Sequence, residues 1–359
     1  MNKIPELYQE WLSLLPLNEK LERDINQQFM IDFNYNSNHI EGNTLTYGQT
    51  KLLLLFGNVM GNARMQDLEE MKAHNVGLHW LKEMAKDKDF MLTESFIREL
   101  NKIILVRNYY KTSRDGDYRY EIRVGVYKKR LNSVITPSGE IFDYASIEET
   151  PSLMADLLQW YSDEEKKGEL KIEELTAMFH YRYIRIHPFE DGNGRIARLI
   201  VNYILHRHNY PMIVIRTDDR KNYLDTLRKC DLLSGKIPFD GANANIEQVK
   251  PLTEYIGSII EKKLETIIKY VKGEIADLVE TKDNSIKIET DVSVNVSVNV
   301  SVKNKLKEII TQNPNLSAKE MAKILSVSER TIHRNIESLK NENLIERIGS
   351  DKTGHWKVK

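Results

Sequence analysis

Apolar residues recur at spacings of three and four through most of residues 1–275, in stretches such as QDLEEMKAHNVGLHWLKEMA, TESFIRELNKIIL, PSLMADLLQWYSDEEKK, KIEELTAMFHYRYIRI and GRIARLIVNYILHRH. That period puts one apolar face on a helix, so the fold class is mainly α. One segment breaks it. In EIRVGVYKKRLNSVITPSGE, Ile122, Val124 and Val126 alternate with Arg123, Gly125 and Tyr127 before a basic loop and a second short apolar stretch, which predicts a small β-hairpin over about residues 121–136. Over 276–302 the helical period gives way to a Ser-Val-Asn-Val unit repeating every four residues, read as a linker. The same alternation of valine with small polar residues would also pair as a strand between two chains, which would make a homo-oligomer.

Residues 303–359 have their own pattern. One helix ends before Asn313-Pro314; a second, capped by Ser317, carries Met321, Ile324 and Leu325; a turn over 326–328 leads into a third from Glu329 to about Lys340. A short strand near Ile345, a polar loop and HWKV follow. The chain's net charge of -1 gives no hint of nucleic acid, but this segment holds twelve Lys or Arg against seven Asp or Glu. It resembles the winged helix-turn-helix family of DNA-binding domains. The resemblance implies a third helix in the major groove of duplex DNA, with Arg330, Thr331, Arg334 and His333 on its exposed face and Lys352 reaching a phosphate. Winged helices also serve as protein interaction modules, and that alternative stays open.

Composition bounds the rest. A chain of 359 residues with 41% hydrophobic content can bury a large core and at least one smaller one. No run of eighteen apolar residues occurs and the first residues, MNKIPELYQEWL, lack the regions of a secretory signal, so the expectation is a cytoplasmic protein with no membrane partner. The single cysteine, Cys230, has no internal disulfide partner and reads as a buried thiol.

Chemistry concentrates in HPFEDGNGRIAR, residues 187–198. Pro188 disfavours helical geometry for His187, so the histidine is expected at the start of a loop with its imidazole exposed, near the ordinary pKa of about 6.5 and suited to act as a general base. Gly192, Asn193 and Gly194 permit tight turns, and a helix starting at about Gly194 aims its amides and dipole at the loop, an anion cradle. Arg195 in the first turn is unfavourable against the dipole unless an anion binds beside it. Arg198, three residues on, adds a second cation, and together they suit a polyphosphate. Asp191 ahead of the glycines fits a magnesium ligand, since Mg2+ takes one or two carboxylates and keeps its waters. Glu190 is expected to face solvent.

HPFEDGNGR followed by Arg198 resembles the signature of the Fic (filamentation induced by cAMP) domain family, and GDYR at 116–119, RLIVNYILHRHNYP and RKNYLDTL are similar to its surrounding segments, over about residues 30–275. The resemblance implies a helical domain, divided here into a helical region to residue 110 and a core over 111–275, that transfers AMP from ATP to a Ser, Thr or Tyr hydroxyl of a target protein and releases pyrophosphate. On the matching positions, His187 would take the hydroxyl proton and Asp191 would hold Mg2+. Asn193 and the neighbouring amides would bind the α and β phosphates, Arg195 the β or γ phosphate, and Arg198 the γ phosphate. Phe189 would be core, the 121–136 hairpin would be the flap that pairs with an extended target segment, and Tyr223 would line an adenine pocket or sit in the core.

A second motif, SNHIEGN over 37–43, puts Ser37 and Glu41 four residues apart on one helix face, with Gly42 and Asn43 ending that helix. It resembles the family's inhibitory Ser/Thr-x-x-x-Glu-Gly/Asn motif. Glu41 paired with Arg198 would remove the γ-phosphate cation and add a like charge, each contribution worth on the order of 4 kcal/mol at an effective dielectric near 20. Three alternatives stay open: another nucleotide donor, AMP removal assisted by Glu41, and a DNA-binding regulator that only senses nucleotide.

Overall fold

The computed structural model describes residues 3–113, 116–131, 133–135, 141–278, 306–307, 309–311, 313–314, 316–325, 329–341, 344–348 and 355–358. The chain divides into two compact units, Met1–Val279 and Glu280–Lys359. The expected linker lies outside the described residues except at 276–278.

The first unit is helical: α1 (Ile4–Ser13), α2 (Glu19–Ile40), α3 (Tyr47–Phe56), α4 (Met65–Lys86), α5 (Glu94–Leu105), α6 (Thr150–Lys167), α7 (Ile172–Ile186), α8 (Asn193–Arg207), α9 (Arg220–Ser234), α10 (Pro238–Ala242) and α11 (Ile246–Val271). Side chains of Asn18, Thr46, Thr93 and Asn245 accept first-turn amides of α2, α3, α5 and α11, the residue types that satisfy helix starts. At the centre lie α7 and α8. Thirteen of the fifteen residues of α8 are buried, so every polar group on it needs a partner or a use. Asn202 meets this by exchanging two hydrogen bonds with the main chain of Ile213, and Arg207 by pairing with Glu165 at 2.6 Å.

Strand pairing departs from the expected 121–136 hairpin. Two antiparallel pairs form instead: β1 (Tyr109–Thr112) with β2 (Arg119–Ile122), and β3 (Ser133–Ile135) with β4 (Ile141–Asp143). The alternation that begins at Ile122 stops there because Gly125 turns at φ 72° and donates its amide to Asn101 Oδ1 (2.8 Å), while the Lys128 amide donates to Pro188 O (2.8 Å). The Tyr127 ring packs against Phe189, with centroids 5.5 Å apart. Residues 125–129 are thus tied to α5 and the 187–192 loop, and Val124 to Asn108, rather than to a neighbouring strand.

In the second unit, α12 (Ala318–Leu325) and α13 (Glu329–Asn341) precede an antiparallel pair, β5 (Ile345–Ile348) with β6 (His355–Val358). Ser317 and Glu320 form a reciprocal cap at the start of α12 (2.8 and 3.3 Å). Leu306, Ile310, Met321, Ile332, Ile336, Leu339, Ile345 and Trp356 make the core. The 326–328 turn lies outside the described residues.

Candidate active site

The 187–192 loop is built by its own residues. His187 caps α7 in the left-handed region (φ 51°, ψ 61°), with its amide on Tyr183 O at 2.9 Å. Phe189, 1% exposed, anchors the loop in the core. Asn193 closes it by donating Nδ2 to Phe189 O (2.7 Å) and accepting the Phe189 amide on Oδ1 (3.0 Å). The Asn193 side chain is therefore spent on the loop. Gly192, at φ 84°, accepts the Ile196 amide at 3.0 Å, and the first amides of α8 have no intrahelical acceptor. Glu190 is half-buried, not solvated as expected, and accepts the Lys129 amide at 3.4 Å.

His187 departs from the exposed imidazole that its proline neighbour suggested. It is half-buried, stacked on Tyr144 with centroids 4.0 Å and planes 11° apart, because the chain after β4 folds back over the loop. Its Nδ1 lies 3.3 Å from Ile184 O, and since a carbonyl only accepts, the proton sits on Nδ1 and Nε2 keeps its lone pair. Burial and the Lys128 ammonium push the ring down to about 4, against the opposing charges of Glu41 and Asp191, so it is neutral at pH 7.

Asp191 is held by residues far away in sequence. Tyr109 donates its hydroxyl and Lys111 its ammonium (2.5 Å) to Oδ2, and Asn101 Nδ2 donates to the main-chain oxygen (3.0 Å). Burial alone would raise the Asp191 carboxyl, but Lys111 and Arg195 outweigh it and hold it below the usual carboxylate range. Tyr109, Lys111 and Asn101 escaped the sequence reading. The only local signal was the two-residue spacing of Tyr109 and Lys111, which puts both on one face of β1.

The two arginines differ sharply. Arg198, 2% exposed, donates Nε to Ser37 Oγ (3.0 Å) and Nη2 both to Ser37 O (2.8 Å) and to Glu41 Oε1 (2.7 Å). Arg195, 4% exposed, has Nε and Nη1 buried without a hydrogen-bond acceptor; Glu70 and Asp191 approach its guanidinium only to 3.7 Å. Its charge is balanced by those two carboxylates at ion-pair distance, while Nε and Nη1 keep unused donors. Glu41 caps α2 where Gly42 turns at φ 97°, as the motif predicted. Its carboxylate lies against Gly194, where a β-carbon would sit 2.3 Å from Oε1, so any other residue at 194 would have to push the carboxylate aside. Burial would raise the Glu41 carboxyl, but Arg198 and Arg195 hold it low. Its side chain is nevertheless 40% exposed, so water screens the pair and the carboxylate has a way out.

Of the two readings of Tyr223, the side chain takes the place of a core residue. It is 2% exposed, with its hydroxyl 2.7 Å from His180 Nε2 behind Arg198, because α9 packs that ring into the core. In the second unit Arg334 and His333 are exposed on α13, Arg330 and Thr331 lie on the same helix, and Lys352 falls outside the described residues. Among the described residues, no three His, Cys, Asp or Glu side chains gather as a metal cluster, and no helix is long and apolar enough to cross a membrane.

Comparison with known proteins identifies the family. The Fic/DOC family pattern matches residues 91–205, and an HTH domain pattern matches 302–354. A crystal structure of a Fic domain containing signaling protein from Bacteroides thetaiotaomicron is 54% identical, covers 78% of this chain and 99% of its own, and superposes with a TM-score of 0.73. A Fic family protein from Desulfovibrio desulfuricans shares the fold at 19% identity and a TM-score of 0.53, over 99% of this chain and 94% of its own. Protein adenylyltransferase fic-1 of Caenorhabditis briggsae is 24% identical over 260 residues, 71% of this chain and 44% of that protein. The chain spans about half the length of the curated relatives it matches. With the signature loop, the capping glutamate on its second arginine and a near-complete relative at 54% identity, this chain belongs to the Fic/DOC family and carries a C-terminal HTH domain.

Proposed function

We propose that this chain is a protein adenylyltransferase that Glu41 holds in check. The observation that carries the reading is the junction of the two motifs: the Glu41 carboxylate, seated against Gly194 at the start of α8 and bonded to Arg198, occupies the place where an anionic ligand would meet both. ATP fits the remaining features, namely a glycine-lined helix start and a buried Arg195 with open donors. For magnesium, Asp191 is an ionised carboxylate at the edge of that cradle, enough for an ion that draws its other ligands from phosphate and water. When bound, the ion would supply charge that stabilises the leaving pyrophosphate.

The chain's own residues do the rest. Neutral His187 offers Nε2 to the target's hydroxyl and takes its proton as the oxygen bonds to the α phosphorus and pyrophosphate leaves. Arg195 and, once freed, Arg198 hold the leaving phosphates, so that catalysis is mostly positioning and charge stabilisation. While Glu41 stays on Arg198, that cation is spent and the γ phosphate meets a carboxylate.

Intact-mass analysis of wild type and Glu41→Gly incubated with ATP and magnesium, with and without candidate acceptor proteins, tests the reading. Added AMP on the Glu41→Gly chain or an acceptor supports it. Transfer from another nucleotide, or none from ATP, sinks it.

The HTH domain favours a second activity, duplex DNA binding by α13, which carries Arg330, Thr331 and Arg334. Gel shift on a broad duplex pool at low salt tests this, and absence of any shift there would leave a protein interaction module.

A further inference from the structure

The basic segment after β2 holds a lysine where one is costly. Lys128 is 2% exposed, so its ammonium has left water. Its hydrogen bonds bracket the base. The main-chain amide donates to Pro188 O at 2.8 Å, and Nζ donates to Ile186 O at 3.0 Å, so the carbonyls on both sides of His187 are held by one residue. Ile186 O is also among the last carbonyls of α7, where a cation is favoured by the helix dipole. Between these two bonds His187 sits in the left-handed conformation that a β-carbon ordinarily resists.

We propose that Lys128 is a positioning residue for the base, clamping the peptide units around His187 so that its Nε2 is aimed at the acceptor hydroxyl. The inference rests on the reading of His187 as the base. A purely structural lysine would be served as well by an uncharged donor, but here the charge also reaches the ring. The groups that act on His187 are the Lys128 ammonium on one side and the carboxylates of Glu41 and Asp191 on the other, with the Tyr144 ring across its face. Glu149 is the carboxylate that acts on Lys128. Burial brings the lysine down to about 8, which leaves most of it charged at pH 7 and able to oppose protonation of the histidine.

Three variants of the full-length Glu41→Gly chain separate the roles: Lys128→Gln keeps a donor without charge, Lys128→Met removes both, and Lys128→Arg keeps the charge. His187 is titrated by NMR on chains carrying 13C-labelled histidine, assigned with His187→Gln, and transfer kinetics are read on the same samples. In both neutral variants the His187 midpoint should rise by about one pH unit, the size of effect expected for one neighbouring charge. Turnover in Lys128→Met should fall tenfold or more while KM for ATP stays within about twofold, and Lys128→Arg should keep the parent midpoint. A midpoint unmoved in both neutral variants overturns the inference, as does failure of both to fold, which would make the lysine a structural prop. The titration needs no nucleotide. A shifted midpoint in chains whose parent transfers no AMP would therefore preserve the electrostatic link and sink the transferase reading, and an unmoved midpoint beside active transfer would do the reverse.

Discussion

The two units of this chain place their charges in opposite ways. In the first, three cations of the site are buried, Lys128, Arg195 and Arg198 each being 4% exposed or less, while Lys111 on Asp191 is exposed. In the second, the core is apolar with Asn335 as the one buried polar residue among those described, and Arg334 and Lys357 stand on the surface. The difference follows from what each arrangement can do. A buried guanidinium is desolvated in advance, fixed in direction and strongly coupled to its neighbours, which suits one small polyanion and makes one carboxylate an effective blocker. An exposed cation is screened and mobile, which suits a long polyanion that pays for binding by releasing counterions from many weak contacts.

The largest break in the comparison should come from the base. His187→Ala in the Glu41→Gly chain is expected to lose about a thousandfold in transfer while ATP binding by calorimetry stays within a few fold, because the proposed base would act on the hydroxyl and not on the phosphates. Transfer at the parent rate would remove His187 from the mechanism.

Acid should separate the units next. In the first unit, burial keeps His180 near 3 and His187 and His206 near 4, and pushes His74 well below the ordinary value. These are depressed values, so the unfolded chain takes up protons that the folded one refuses as pH falls below about 6.5. Each histidine that stays neutral then costs about 2 kcal/mol of stability at pH 5. The histidines of the second unit that are described, His333 and His355, are exposed rather than buried. Thermal melts at pH 7 and pH 5 should show a lower midpoint at pH 5 for the first unit, by more than for the second. Equal shifts in both would mean that the buried histidines do not set the acid limit.

What the sequence made legible, and what it hid, divides along the range of the contacts. The ends of α7 and α2 were readable because local features set them: Pro188 after His187, and Gly42 after Glu41. The facing of Ser37 and Glu41 was readable because helix period fixes it, and Arg198 bonds to both. Partners that arrive from elsewhere were hidden. Tyr109 and Lys111 reach Asp191 across about eighty residues, and Tyr144 reaches His187 after a strand pairing that alternation at 122–126 misplaced. Lys128 was visible only as part of a basic loop, since nothing in a run of lysine and arginine says which one will be buried. Tyr223 shows the converse, a chemically suggestive residue that packing assigned to the core.

Glu41 tests whether burial of the cation would make the proposed blockade effective. Because its side chain is 40% exposed, the 4 kcal/mol expected from bare Coulomb terms is reduced by solvent, and Glu41→Gln should activate transfer tenfold to a hundredfold rather than a thousandfold. Glutamine nearly conserves volume, so activation by glycine alone would mean that the blockade is steric. Arg198→Ala should be inactive alone and in combination with Glu41→Gly. A double variant as active as Glu41→Gly would show that the glutamate competes for something else.

The smallest effect belongs to the second unit, and its smallness is the point. Arg334 lies on the exposed side of α13, so in duplex binding it would contribute one solvent-screened contact among several. Arg334→Ala should weaken binding to a pool of duplexes by a few fold at moderate salt, roughly 1 kcal/mol, and make the slope of log affinity against log salt shallower by about one, as loss of a single phosphate contact requires. The loss should shrink as salt rises, because the counterions that the arginine displaced no longer cost as much to hold. If instead the loss is confined to particular sequences and the slope is unchanged, Arg334 reads a base edge and the contrast narrows, since the second unit would then also rely on one well-placed arginine. Neither effect, with binding intact, would move the contact surface off this face of α13.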